Sequence, residues 1–63
     1  MNKLQAMTYL VGGLITEAAR ITGHLMYIQT GQTDEKTGFE CLVVPSLRKL
    51  EGDIQRIYEQ MRG

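Results

Sequence analysis

Apolar residues recur along the first half of this chain at alternating intervals of three and four. Leu4, Met7, Val11, Leu14, Ala18, Ile21, Leu25 and Ile28 keep this spacing without a slip. Such spacing returns an apolar side chain to the same side of an α-helix at every turn, which makes a stripe that must be covered. Leu10 and Ile15 flank the stripe and widen it, which suits a helical bundle better than a bare two-stranded coil. The pattern predicts a first helix over about residues 2–29. Asn2 is placed to cap its start and Gly31 to stop its end.

A second stripe follows. Val43, Leu47, Leu50, Ile54, Ile57 and Met61 repeat the same alternation. Proline is tolerated in a first helical turn and rarely beyond it, so Pro45 predicts a second helix over about residues 44–62. Thr37-Gly-Phe-Glu40 offers a competing start as a capping box, which would leave Pro45 to bend the helix. The polar, glycine-punctuated segment 30–38 reads as part of a loop over about residues 30–43. Asp53 with Arg56 and Glu59 with Arg62 are spaced to pair along the helix. One alternative stays open: "LMYIQT" and "FECLVV" are rich in β-formers, and their pairing would make an α-β-β-α fold with a central hairpin.

The expected fold is all-α, one domain spanning residues 1–63. Two helices joined by a short connection lie antiparallel and cover only part of each other. At about 1.5 kcal/mol of entropy lost per ordered residue, a single two-helix layer is not stable alone. Symmetric dimers are the commonest oligomers. The hairpin is therefore expected to form a homodimer, a four-helix bundle. Its core would take Leu4, Met7, Val11, Leu14, Ala18, Ile21, Leu25 and Ile28 from the first helix. The second would add Leu47, Leu50, Ile54, Ile57 and Met61.

Seven basic residues balance seven acidic ones, so the chain lacks the global field of a dedicated nucleic-acid binder. One cysteine permits no internal disulfide, and one histidine leaves a Cys/His zinc site short of ligands. The start has no secretory pattern, and Glu17 and Arg20 interrupt the best membrane candidate well short of about 20 apolar residues. A soluble cytoplasmic protein is expected, with no membrane partner and no cofactor.

Gly12 and Gly13 have neither the spacing of a dinucleotide-binding fingerprint nor that of a P-loop. On a helix, Tyr9, Gly12, Thr16, Ala19, Gly23 and Met26 instead form a strip roughly opposite the apolar stripe, flat in its middle. That strip is a candidate second interface, or an ordinary exposed face. His24 falls on the rim of the stripe, and Cys41, near Phe39 and Leu42, reads as a buried thiol. No third group completes a nucleophilic pair from them, so no catalytic residue is assigned. Glu17 and Arg20 read as a surface ion pair. Arg48, Lys49 and Arg56 lie on the outer side of the second helix as candidate phosphate contacts, diluted by Asp53 and Glu59.

With its "MNKLQAMTYL" start, its two heptad segments and no catalytic motif, the chain resembles the small accessory proteins encoded in early regions of lambdoid phages. That resemblance implies a regulator or host-directed effector that acts by protein contacts in the bacterial cytoplasm. The expected function is a non-enzymatic interaction or regulatory module with a protein partner. The alternative is a small dimeric DNA-binding regulator.

Overall fold

The computed structural model describes residues 2–62. Helix α1 runs Lys3–Gln29. A short helix α2 at Glu35–Gly38 runs into a π-helical turn at Phe39–Val43, and α3 continues through Val44–Arg62. No strand occurs among the described residues, so the α-β-β-α alternative falls away.

Both ends of α1 are closed by local chemistry. The Asn2 side chain accepts from the Gln5 backbone N–H at 2.8 Å, and the Gln5 side chain accepts from the Asn2 N–H at 3.1 Å. This reciprocal capping box satisfies two donors that the helix itself leaves unpaired. At the other end Gly31 takes φ +80, the left-handed region that glycine enters without strain. Its N–H bonds to the Ile28 carbonyl at 3.0 Å, and the Gln32 N–H to that of Tyr27 at 3.4 Å. These two bonds are a Schellman closure.

The expected loop over residues 30–43 is corrected to a turn of about five residues. The Asp34 carboxylate accepts from the Thr37 N–H at 2.9 Å and starts the helix at Glu35 rather than near Val44. Pro45 then falls inside a helical run, where it has no N–H for the Cys41 carbonyl. The chain accommodates this by a wider turn just before it, in which the Val44 N–H reaches back to Phe39. Gly38 is buried against α1, where a Cβ would lie 2.6 Å from Thr33 Cγ2 and 2.7 Å from Ile28 Cγ1. Only a glycine lets the two helical segments approach so closely at the turn.

The hairpin is a single layer measuring 45 × 15 × 11 Å. Its radius of gyration is 14.4 Å, where a compact chain of this length would have about 11 Å. Val43 is the sole fully buried apolar side chain among the described residues. The helices share only half of each predicted stripe. Met7, Leu14, Ile21 and Ile28 are half-buried, as are Leu50 and Ile57 on α3. The remaining places in the seam are filled by Leu10, Glu17 and His24 from α1, and by Ser46 and Asp53 from α3. Two round surfaces can share only one ridge, and this wide stripe extends beyond it. Val11, a residue of the same stripe, is 43% exposed.

Candidate interaction surface

The unused half of the stripe forms one surface. Leu4, Val11, Ala18 and Leu25 lie next around α1 from the buried column, at 100° per residue. Leu47, Ile54 and Met61 lie next around α3 in the same rotational sense. The helices run antiparallel, so both columns emerge on the same side of the hairpin. The opposite side is marked independently: Gly13 sits by Asp53 there, and Glu17 by Lys49. Leu4 is 69% exposed and Ile15 68%, with Leu25, Leu47, Ile54 and Met61 also open to water. Tyr58 adds an exposed ring to the α3 part.

This apolar side carries little charge, and on α1 it carries none. Of the charged residues of α1, Glu17 and Arg20 lie toward the opposite edge, and Lys3 is in the first turn. The threonines that remain use their hydroxyls internally. Thr8, Thr16 and Thr22 donate to the carbonyls of Leu4, Gly12 and Ala18 at 2.9, 3.1 and 3.1 Å. A hydroxyl turned back onto its own helix presents its methyl group outward, which leaves the flank more apolar than its composition suggests.

At the turn end the same side opens into a groove of about 540 Å³ lined by Leu25, Ile28, Gln29, Glu35, Lys36 and Phe39. The π-helical turn rotates Phe39 onto this side, where its ring is exposed. Sequence spacing misses Phe39, because an ordinary helical turn would place it differently.

The opposite edge is polar. Glu17 is 2% exposed and is held by Arg20 at 3.3 Å and Lys49 at 3.4 Å. The Ser46 hydroxyl bonded to its carboxylate, helped by Arg20 and Lys49, keeps Glu17 below the usual carboxylate pKa. The surface pair expected from the sequence is thus a buried acid that joins the two helices. Asp53 is buried beside it and takes Arg56 at 2.6 Å. Two of the three candidate phosphate contacts, Lys49 and Arg56, are therefore engaged by carboxylates, and Arg48 stands apart from them. Cys41 is exposed, not buried as expected, because it falls on the outer side of the π-helical turn. His24 lies half-buried on the rim of the seam.

Within the strip opposite the stripe, nothing lies within 4 Å of a Cβ built on Gly12 or Gly23. Tyr9, Thr16, Ala19 and Met26 are exposed beside them, so the hairpin packs nothing of its own there. No cluster of metal-ligating side chains occurs among the described residues, and no helix is long and apolar enough to cross a membrane. No family model matches this chain, and no curated protein or solved structure does either.

Proposed function

We propose that this chain is a non-enzymatic interaction module whose working form is a homodimer, two hairpins packed face to face as a four-helix bundle. In this reading it regulates by protein contacts, as the resemblance to phage accessory proteins implies. The apolar side of the hairpin carries the proposal. Leu4, Val11, Ala18 and Leu25, with Leu47, Ile54 and Met61, then fill the half of the expected core that one hairpin leaves open.

The areas agree with this. The hairpin exposes 4809 Å², whereas a compact folded chain of its mass exposes about 4,100 Å². The excess is close to the roughly 800 Å² that each partner contributes to a standard interface. Large exposed apolar surfaces on small folded chains mark sites of association. Sedimentation equilibrium tests the reading across a concentration series. The dimer gives about 14 kDa, twice the 7.1 kDa of the chain, and loses helical signal as dilution dissociates it. A folded 7.1 kDa species at low micromolar concentration overturns it.

A further inference from the structure

We infer that the two hairpins pack with their turns at opposite ends, α1 lying antiparallel on α1 of the second copy, so that Leu4 of each copy is seated in the groove between Leu25 and Phe39 of the other. This rests on the dimeric reading above and specifies its geometry.

Two face-to-face arrangements of an antiparallel hairpin have two-fold symmetry. In one the turns share an end, and each α1 lies on α3 of the second copy. In the other the turns are opposed, and each helix lies on its own copy. Charge separates them. The free sides of α1 hold no Asp, Glu, Lys or Arg, whereas the outer flank of α3 holds Arg48, Glu51, Glu59 and Arg62. With the turns at one end, Glu51 would border the uncharged flank of α1, answered only by Arg48 of its own helix. With the turns opposed, α1 meets α1 in a charge-free seam. Arg48 and Glu51 of both copies then gather near the axis in a neutral cluster, on the solvent-facing edge of the α3 pair.

Shape points the same way. A two-fold axis beside Leu14 and Ile15 sets Leu4 opposite Leu25 and Val11 opposite the smaller Ala18. Leu4 is the most exposed leucine, at 69%, and it stands at the end of the molecule away from the groove of about 540 Å³. Opposed turns bring this protruding side chain to that hollow, twice per dimer. With the turns at one end, the two grooves would face each other, and an unfilled apolar hollow is unfavourable.

The test measures the distance between the two turns. Gln32→Cys in a Cys41→Ser background places one nitroxide on the exposed turn of each chain. Opposed turns give a separation near the 45 Å length of the molecule by pulsed dipolar spectroscopy. A distance below roughly 25 Å overturns the geometry and leaves the dimer standing, since neighbouring bundle helices lie only 8–10 Å apart. Absence of dipolar coupling, together with a 7.1 kDa mass, overturns both readings.

Discussion

Helices α1 and α3 carry equivalent apolar stripes and meet water in opposite ways. Outside the seam, α3 presents Arg48, Glu51, Glu59 and Arg62, the charged flank of an ordinary surface helix. Helix α1 is longer, 27 residues against 19, yet outside the seam and its polar edge it presents only apolar, small or amide side chains and threonines. Glu17 and Arg20 lie together at the edge where Glu17 meets Lys49. The proposed dimer accounts for the difference: in it α3 keeps a charged outer flank and α1 is covered by the second copy. One hairpin supplies no such cover, because Val43 is its only fully buried apolar residue among those described.

The sharpest way to break this comparison is to place the same charge on each helix. Val11→Glu puts a carboxylate on the charge-free side of α1. Burying it unpaired costs about 3 kcal/mol or more, which weakens dimerisation by over roughly 100-fold. Gln55→Glu adds the same charge to the exposed flank of α3 and changes stability by no more than about 0.5 kcal/mol. Sedimentation and thermal melts of the two variants decide it. Equal responses would show that the two flanks are alike.

The next effect lies where the two helical segments meet. Gly38→Ala forces a Cβ against Thr33 and Ile28, and the overpacking should cost about 1–3 kcal/mol, read as a lowered Tm. An unchanged Tm would mean that the turn relaxes freely and does not set the approach of α2 to α1.

A smaller effect comes from the polar edge. The carboxylate of Glu17 is favoured in the fold by the Ser46 hydroxyl, then by Arg20 and Lys49, and its pKa lies below the ordinary 4.5. In the window between the lowered value and 4.5 the unfolded chain binds more protons than the folded one, so stability rises with pH there. The contribution is fully present above 4.5 and drains away as pH falls through the lowered pKa. Asp34, lowered from 3.8 by its bond from Thr37, adds to the loss at still lower pH. Glu17→Gln should flatten the acid limb of a stability profile. An unaltered acid limb would remove Glu17 from that role.

The helical hairpin was legible because spacing is a strong signal: Asn2, Gly31 and both stripes stand where the sequence reading puts them. Their division between two surfaces was not. The buried columns include Glu17, Ser46 and Asp53, polar residues that no hydrophobic count selects, and their fit appears only when the helices are side by side. The start at Asp34 was hidden by Pro45, which argues for a later start unless the chain takes the rarer π-helical turn. Cys41 and Phe39 were misjudged or missed for the same reason, since that turn changes which way each residue points. The candidate interaction surface was half legible. Leu4, Val11, Ala18, Leu25, Leu47, Ile54 and Met61 belong to the stripes, whereas Ile15, Tyr58 and Phe39 do not, and nothing in the spacing says which column the hairpin itself would use.

The least effect is expected where α1 is emptiest. Gly12 and Gly23 have open space around an added Cβ, and both lie on the flank that would stay outermost in the proposed opposed-turn dimer. Replacing either with alanine removes the conformational cost of a glycine inside a helix and adds no clash. Each change should stabilise the protein by up to about 1 kcal/mol without altering its mass. The matching measurement on α3 is Gly52→Ala, also with open space around it, and it should give a similar gain. If Gly12→Ala or Gly23→Ala instead weakens the dimer while Gly52→Ala does not, the small-residue strip of α1 is itself in close contact. The contrast between the helices would then extend to a second covered face. Equal gains at all three positions would confine it to the side bearing Leu4, Val11 and Leu25.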